Sequence, residues 1–216
     1  MTDHAADLEA RLRRHVEVLS METGPRAPFL GDALDRAEAH VRASLEAAGL
    51  EVERQSYDFR DREVANLVGR NAAARSSSGC WLPGAHQDSV PGSPGAEDNA
   101  SAVAALPAFA EIAAAPAIPL CCTAFTMEEP PAFMTGRQGS RMFLRSLDDP
   151  ERRIRGAVVL EMVGYTAPRE PYPAVLRWAG YPERREFIGI VADWRSRRFG
   201  RRVLAGFRRD PEWPGR

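Results

Sequence analysis

The chain contains no lysine: all 29 basic residues among its 216 are arginine. That excludes Schiff-base chemistry and the phosphate-gripping lysine of a P-loop. Cysteine is scarce as well. Cys80, Cys121 and Cys122 have neither the even count of a disulfide framework nor the paired spacing of a structural zinc site, and they read as small buried hydrophobes. A formal net charge of −1 gives no electrostatic reason to expect nucleic acid or a membrane surface as partner. No stretch approaches the ~20 apolar residues of a membrane span, and Met1 to Leu12 holds no apolar signal-peptide core. The sequence therefore reads as a cytoplasmic protein of a reducing compartment.

What is present suffices for a core: 44% of the residues are hydrophobic, and the length fits one domain better than two. Leu8, Leu12, Val16 and Leu19 recur at helical spacing, as do Leu34, Ala37, Val41 and Leu45 behind a candidate N-cap at Asp32. Gly49 should end that second helix in the left-handed C′ position, with Leu50 folding back. Glu51 to Phe59 and Val64 to Val68 read as short strands, and Ala72 to Gly79 as a loop. Cys80 to Asp88 reads as a strand that Pro83 demotes or bulges. A helix over Asn99 to Ala113 contains Pro107, which should kink it. The apolar runs Ile118 to Phe125 and Ala157 to Met162 predict strands covered on both faces. With a crossover helix over Arg137 to Leu147 they predict a parallel pair. Val163 to Glu186 shows no periodicity, Phe187 to Val191 predicts a strand, and Trp194, Phe199, Val203 and Phe207 predict a last helix. The fold class is α/β, with a mostly parallel (mixed) central sheet flanked by helices. Such sheets bind ligands at the carboxyl ends of their strands.

Acidic and imidazole residues fall where those strands end. His86 and Asp88 close one, Glu128 and Glu129 another, Glu161 a third, and Glu97 and Asp98 open the helix after the first. Taken singly, each has an ordinary explanation: a satisfied histidine, a helix cap, a solvated strand end. Glu161 is harder to dismiss, because a carboxylate buried unpaired is costly. Together, carboxylates converging on one crevice repel unless a cation neutralises them. Mixed histidine and carboxylate donors suit zinc, with manganese or cobalt as rivals.

These residues carry a family resemblance. Gly84-Ala85-His86-Gln87-Asp88-Ser89, Gly95-Ala96-Glu97-Asp98-Asn99-Ala100-Ser101, Glu128-Glu129-Pro130-Pro131 and Leu160-Glu161-Met162-Val163-Gly164-Tyr165, with Gly24-Pro25-Arg26 upstream, resemble the dizinc exopeptidases. That family includes bacterial leucyl aminopeptidases, aminopeptidase S, glutamate carboxypeptidase and the related glutaminyl cyclases. The resemblance implies that His86 binds one ion and that Asp88 orients it. It also implies that Asp98 bridges two zinc ions, with the peptide to Asn99 cis as in relatives. Glu129 would bind the second ion, Glu161 would complete the first, and Glu128 would be the general base. Two ions ~3.5–4 Å apart bring a shared water toward a pKa of ~7, so a nearby carboxylate suffices to activate it.

One departure stands out. The family's second ion takes a further histidine downstream, and here the histidines are His4, His15, His40 and His86. The chain therefore reads as a single catalytic domain that is incomplete at its C-terminus. Three explanations are open: a fragment, a protein working with one well-held ion, or a degenerate relative that binds peptides without cleaving them. The first functional expectation is a metal-dependent exopeptidase, an aminopeptidase before a carboxypeptidase, with a peptide as its substrate. The alternative is a non-catalytic peptide-binding module, and glutaminyl cyclisation ranks third. Tyr165, Tyr172, Trp178 and Tyr181 are candidates for a pocket wall, or for packing under a long loop.

Overall fold

The computed structural model describes residues 2–115, 117–166, 178 and 188–209, and the side chains of 2–4 are left aside. The chain forms two compact units, Met1–Met162 and Val163–Arg216.

The first unit opens with helix α1 (Thr2–Glu17), which widens into a π-turn at Val18–Glu22 that buries Leu19 and Ser20. Helix α2 (Ala33–Ala47) buries Leu34, Ala37, Val41 and Leu45, the spacing of one helical face. Asp32 precedes it without a capping bond, and its carboxylate takes the Arg36 guanidinium at 2.8 Å instead. The helix ends as anticipated. Gly49 sits at φ +84°, its N–H donates to Glu46 O, and Leu50 N–H donates to Leu45 O. This pair of bonds satisfies two of the last helical carbonyls.

Strands β1 (Glu51–Phe59) and β2 (Arg62–Arg70) form an antiparallel hairpin. After a one-turn helix α3 (Ala72–Arg75), capped by the Asn71 side chain, come β3 (Cys80–His86), β4 (Cys121–Phe125) and β5 (Ile154–Val159). The sheet order is β1-β2-β4-β3-β5. β4 runs antiparallel to β2, and β3 is parallel to both β4 and β5. The predicted parallel strands thus exist, but they flank β3 and do not pair with each other.

The alternation along β4 assigns its two faces. Cys122 points to helix α4 (Ala102–Ala114) and reaches Leu106 O. Cys121 and Phe125 point the other way, to Phe143 of helix α5 (Gly139–Ser146). Every residue of β4 is buried, so its continuous apolar run is explained by cover on both sides. Leu45, Leu67 and Leu106 are fully buried, each contributing about 2 kcal/mol of transfer free energy.

α4 runs through Pro107 as one helix, with the proline buried. Four further expectations differ from the structure. The stretch Ala72 to Gly79, read as a loop, begins with helix α3. The bulge in β3 falls between Cys80 and Trp81, while Pro83 stays paired with Val158. Among the described residues β5 is an edge strand with one half-buried face, and Val159 at its end is 58% exposed, so the apolar run did not mean double cover there. Residues 188–191 are not a strand. A four-residue helix α6 (Pro150–Arg153), capped by Asp149, leads into β5.

In the second unit the last helix is present as α7 (Arg197–Phe207), preceded by Trp194 with the Arg197 guanidinium over its ring. Most of the aperiodic stretch, with Tyr172 and Tyr181, lies outside the described residues.

Candidate metal centre

β3 delivers His86 to the carboxyl end of the sheet, where it is almost fully buried. Its two ring nitrogens face different partners. Nδ1 lies 3.1 Å from the Asp88 carbonyl oxygen and 3.5 Å from the Asp88 carboxylate. Nε2 lies 3.1 Å from Asp98 and 3.2 Å from Glu161. One nitrogen is thus anchored and the other aimed between two carboxylates.

The chain from β3 to α4 brings Asp98 back to His86 through a sharp π-turn at Ala96–Ser101. Gly95 begins it at φ +62°, where an added Cβ would lie 2.7 Å from Asp98 O and 2.5 Å from Arg26 Nη2. The Asp98–Asn99 peptide is cis, as the resemblance implied. Asn99 then ties this turn to the end of β5. Its Nδ2 donates to Leu160 O and to Glu161 Oε2, and its Oδ1 accepts from Met162 N.

Glu128 and Glu129 follow β4. Their backbone N–H groups donate to the two carboxylate oxygens of Asp88, at 3.2 and 3.0 Å. Asp88, fully buried, therefore fixes the acidic pair as well as standing beside His86. Gln138 donates from Nε2 to Glu128 Oε1 at 3.1 Å. It precedes Gly139, whose place against the Thr126 backbone leaves no room for a Cβ.

Beneath the turn lies Arg26, with no exposed surface. Its guanidinium donates to the carbonyls of Gln87, Leu19, Pro94 and Gly95. Its backbone N–H meets Ser89 Oγ. Burial lowers its pKa to about 10, against the pull of Asp88 and Asp98. Arg26 thus fastens the loop between Asp88 and Asp98 to the N-terminal π-turn.

His86, Asp98 and Glu161 offer one donor atom each within 4.8 Å of one another, and so do His86, Glu128 and Glu129. Burial alone would lower the His86 pKa, but hydrogen bonds to Asp88, Asp98 and Glu161 push it up to about 12. Burial and then the Asp98 charge raise Glu129 to about 7, and burial raises Glu128. The site's own charges therefore favour a cation beside the buried imidazole. That field, with nitrogen and oxygen donors at such spacing, fits a zinc ion.

The six metal and catalytic candidates named from sequence meet at this end of the sheet: His86, Asp88, Asp98, Glu128, Glu129 and Glu161. One premise changes. Glu161 is half exposed, so its place here follows from its bonds to His86 and Asn99 and not from a burial penalty. Tyr165 belongs to the second unit and is half exposed. Asn99, Arg26 and Gln138 were not singled out as site residues. For Asn99 and Arg26 the signal was their place inside motifs, whereas Gln138 has no local signature.

The fold and the site define a class, the zinc-exopeptidase-like α/β proteins. The Bacillus subtilis zinc aminopeptidase structure aligns with a TM-score of 0.62 at 14% identity, covering 72% of this chain and 69% of that one. A Porphyromonas gingivalis glutaminyl cyclase aligns at 0.60 and 20%, covering 74% and 59%. A Bacteroides thetaiotaomicron leucine aminopeptidase precursor aligns at 0.55 and 22%, covering 74% and 62%. Residues 65–188, more than half of the sequence, match Peptidase family M28, and the chain belongs to that family. The uncharacterized protein YfbL of Escherichia coli (strain K12) is 31% identical over 196 residues, 84% of this chain. The chain spans 58% of the length of that relative.

Proposed function

We propose that the chain is the catalytic core of a zinc-dependent exopeptidase that hydrolyses a terminal peptide bond, with an aminopeptidase as the first reading. The observation that carries this is Glu128: Asp88 fixes its backbone N–H, Gln138 donates to its carboxylate, and that carboxylate offers an oxygen within 4.8 Å of the His86 and Glu129 donor atoms. A pure binding module has no use for such a base.

In this reading His86, Asp98 and Glu161 would hold one zinc ion, and Asp98 and Glu129 would serve a second. Zinc, when bound, polarises the scissile carbonyl and lowers the pKa of a coordinated water toward ~7. Glu128 takes the proton of the attacking water on its carboxylate and returns it to the leaving amine nitrogen. Burial raises its pKa, which makes the carboxylate a better proton acceptor than an exposed glutamate. Manganese or cobalt could substitute on donor chemistry.

Glutaminyl cyclases share the fold, so the assay pairs aminoacyl-anilide hydrolysis with cyclisation of peptides bearing N-terminal glutamine. Glu128→Gln should abolish hydrolysis and leave zinc in place. Unchanged turnover would reject the mechanism, and cyclisation without hydrolysis would reject the peptidase reading. Zinc and peptide binding with no turnover in the parent would favour the non-catalytic alternative.

A further inference from the structure

The arginines of the two units keep different company. In the first unit many are paired with carboxylates, among them Arg11 with Glu111, Arg42 with Glu46 and Arg70 with Glu53. Helix α7 and the turn before it are unlike this. Residues 188–209 hold seven arginines and one acidic residue, Asp193, whose carboxylate accepts from the Ser196 backbone N–H. Among the described residues no carboxylate pairs with Arg198, Arg202, Arg208 or Arg209.

The helix sorts its residues by side. At 3.6 residues per turn, Phe199, Val203, Leu204 and Phe207 share one face and are half-buried, while Arg197, Arg198, Arg201, Arg202 and Arg208 share the opposite one. That second face is open, with Arg198, Arg201, Arg202 and Arg208 exposed. It also repels itself. Arg197 and Arg201, and Arg198 and Arg202, stand one turn apart, where like charges destabilise a helix. An anionic surface relieves that repulsion and meets several guanidiniums at once. Just before the helix, Trp194 is 78% exposed and Val191 is 90% exposed, with the Arg197 guanidinium 4.0 Å from the Trp194 ring centroid. Guanidiniums beside an exposed indole and an exposed aliphatic group match a phospholipid surface, which takes phosphate bonds and shallow apolar insertion together. Nucleic acid would use the arginines and the indole but offers no apolar bed for Val191.

We propose that the arginine face of α7 docks the protein on an anionic phospholipid surface. The contact is peripheral: the arginines take headgroup phosphates, and Trp194 and Val191 enter only the interface. No helix among the described residues is long and apolar enough to cross a membrane, and this mode of binding needs none. The net charge of −1 averages over the whole chain, which is why composition did not disclose a local arginine face. Docking requires neither the metal centre nor turnover, because every residue it uses lies within 188–209.

The test is flotation of the full 216-residue chain with vesicles of phosphatidylcholine alone and of phosphatidylcholine mixed with phosphatidylglycerol. The chain should float with the mixed vesicles, stay behind with the neutral ones, and be released as salt is raised. Arg198→Gln, Arg201→Gln and Arg202→Gln together should lower partitioning by ~100-fold. Arg13→Gln, at an exposed arginine paired with Glu9, should leave it unchanged. The proposal is overturned if the parent ignores the mixed vesicles at low salt or binds neutral vesicles equally well. A triple variant that floats as the parent does, an equal loss in Arg13→Gln, or capture by duplex DNA without vesicle binding would also overturn it. Should the triple variant fail to fold by circular dichroism, the lipid and salt dependence of the parent still decides.

Discussion

His86 divides the candidate metal centre into two unlike sides. Toward Asp98 and Glu161 it makes direct contacts of 3.1 and 3.2 Å, and Asn99 links the turn bearing Asp98 to the strand end bearing Glu161. Toward Glu128 and Glu129 no such contact exists; that pair is fixed through its backbone by Asp88, with Gln138 on the Glu128 side chain. A ligand must be held against the ion, whereas a base must keep a carboxylate oxygen free to take a proton. In the proposed mechanism the first side holds an ion, and the second divides its work, with Glu129 as a ligand and Glu128 for proton transfer.

Substitutions should therefore act differently on the two sides. The largest effect belongs to Glu128→Gln, which should lower hydrolysis by ~10²–10⁴-fold with bound zinc unchanged by elemental analysis. Loss of zinc together with turnover would erase the distinction. Next is Arg26→Met, which leaves the carbonyls of Gln87, Leu19, Pro94 and Gly95 without their donor. It should cost about 3 kcal/mol in urea denaturation, with Arg26→Lys recovering part of it. Asn99→Ala should weaken zinc affinity by ~10–100-fold, measured by chelator competition, because Glu161 and Met162 lose their tie to the turn.

The smallest effect comes from outside the centre and serves as a control. His15 and His40 meet at 3.0 Å, half-buried, and burial lowers both pKa values. Arg11 and His40 also disfavour charge on His15, and Arg14 on His40, while Glu111 and Glu22 oppose them. Both imidazoles stay neutral in the fold and charge on unfolding, so the unfolded chain binds more protons below the ordinary histidine pKa. Stability is then full above about pH 6.5 and declines as pH falls toward the lowered folded values. Denaturation midpoints over that range should show the decline, and His15→Phe should flatten it while leaving zinc affinity unchanged.

The candidate ligands were legible because imidazole and carboxylate groups fall at strand ends, a pattern that needs no coordinates, while their separate roles came from the family resemblance. The sequence also revealed β4, whose apolar run is covered on both faces, and the Gly49 stop of α2. It misjudged β5, because an apolar run reads the same in a central strand and at an edge. Pro107 is accommodated inside α4, where packing of a buried helix tolerates one missing hydrogen bond. Arg26 was opaque as a site residue. Its partners are four carbonyls spread over nearly seventy positions of sequence separation, and a backbone acceptor leaves no trace in residue type.

The central claim is that His86, Asp98 and Glu161 hold a zinc ion. Zinc content per chain, after loading and exhaustive dialysis, tests it most directly in the parent, in Glu161→Gln and in Glu128→Gln. The account predicts zinc retained by the parent and by Glu128→Gln but lost from Glu161→Gln. A parent that dialyses free of zinc, or a Glu161→Gln chain that keeps it, would contradict the account.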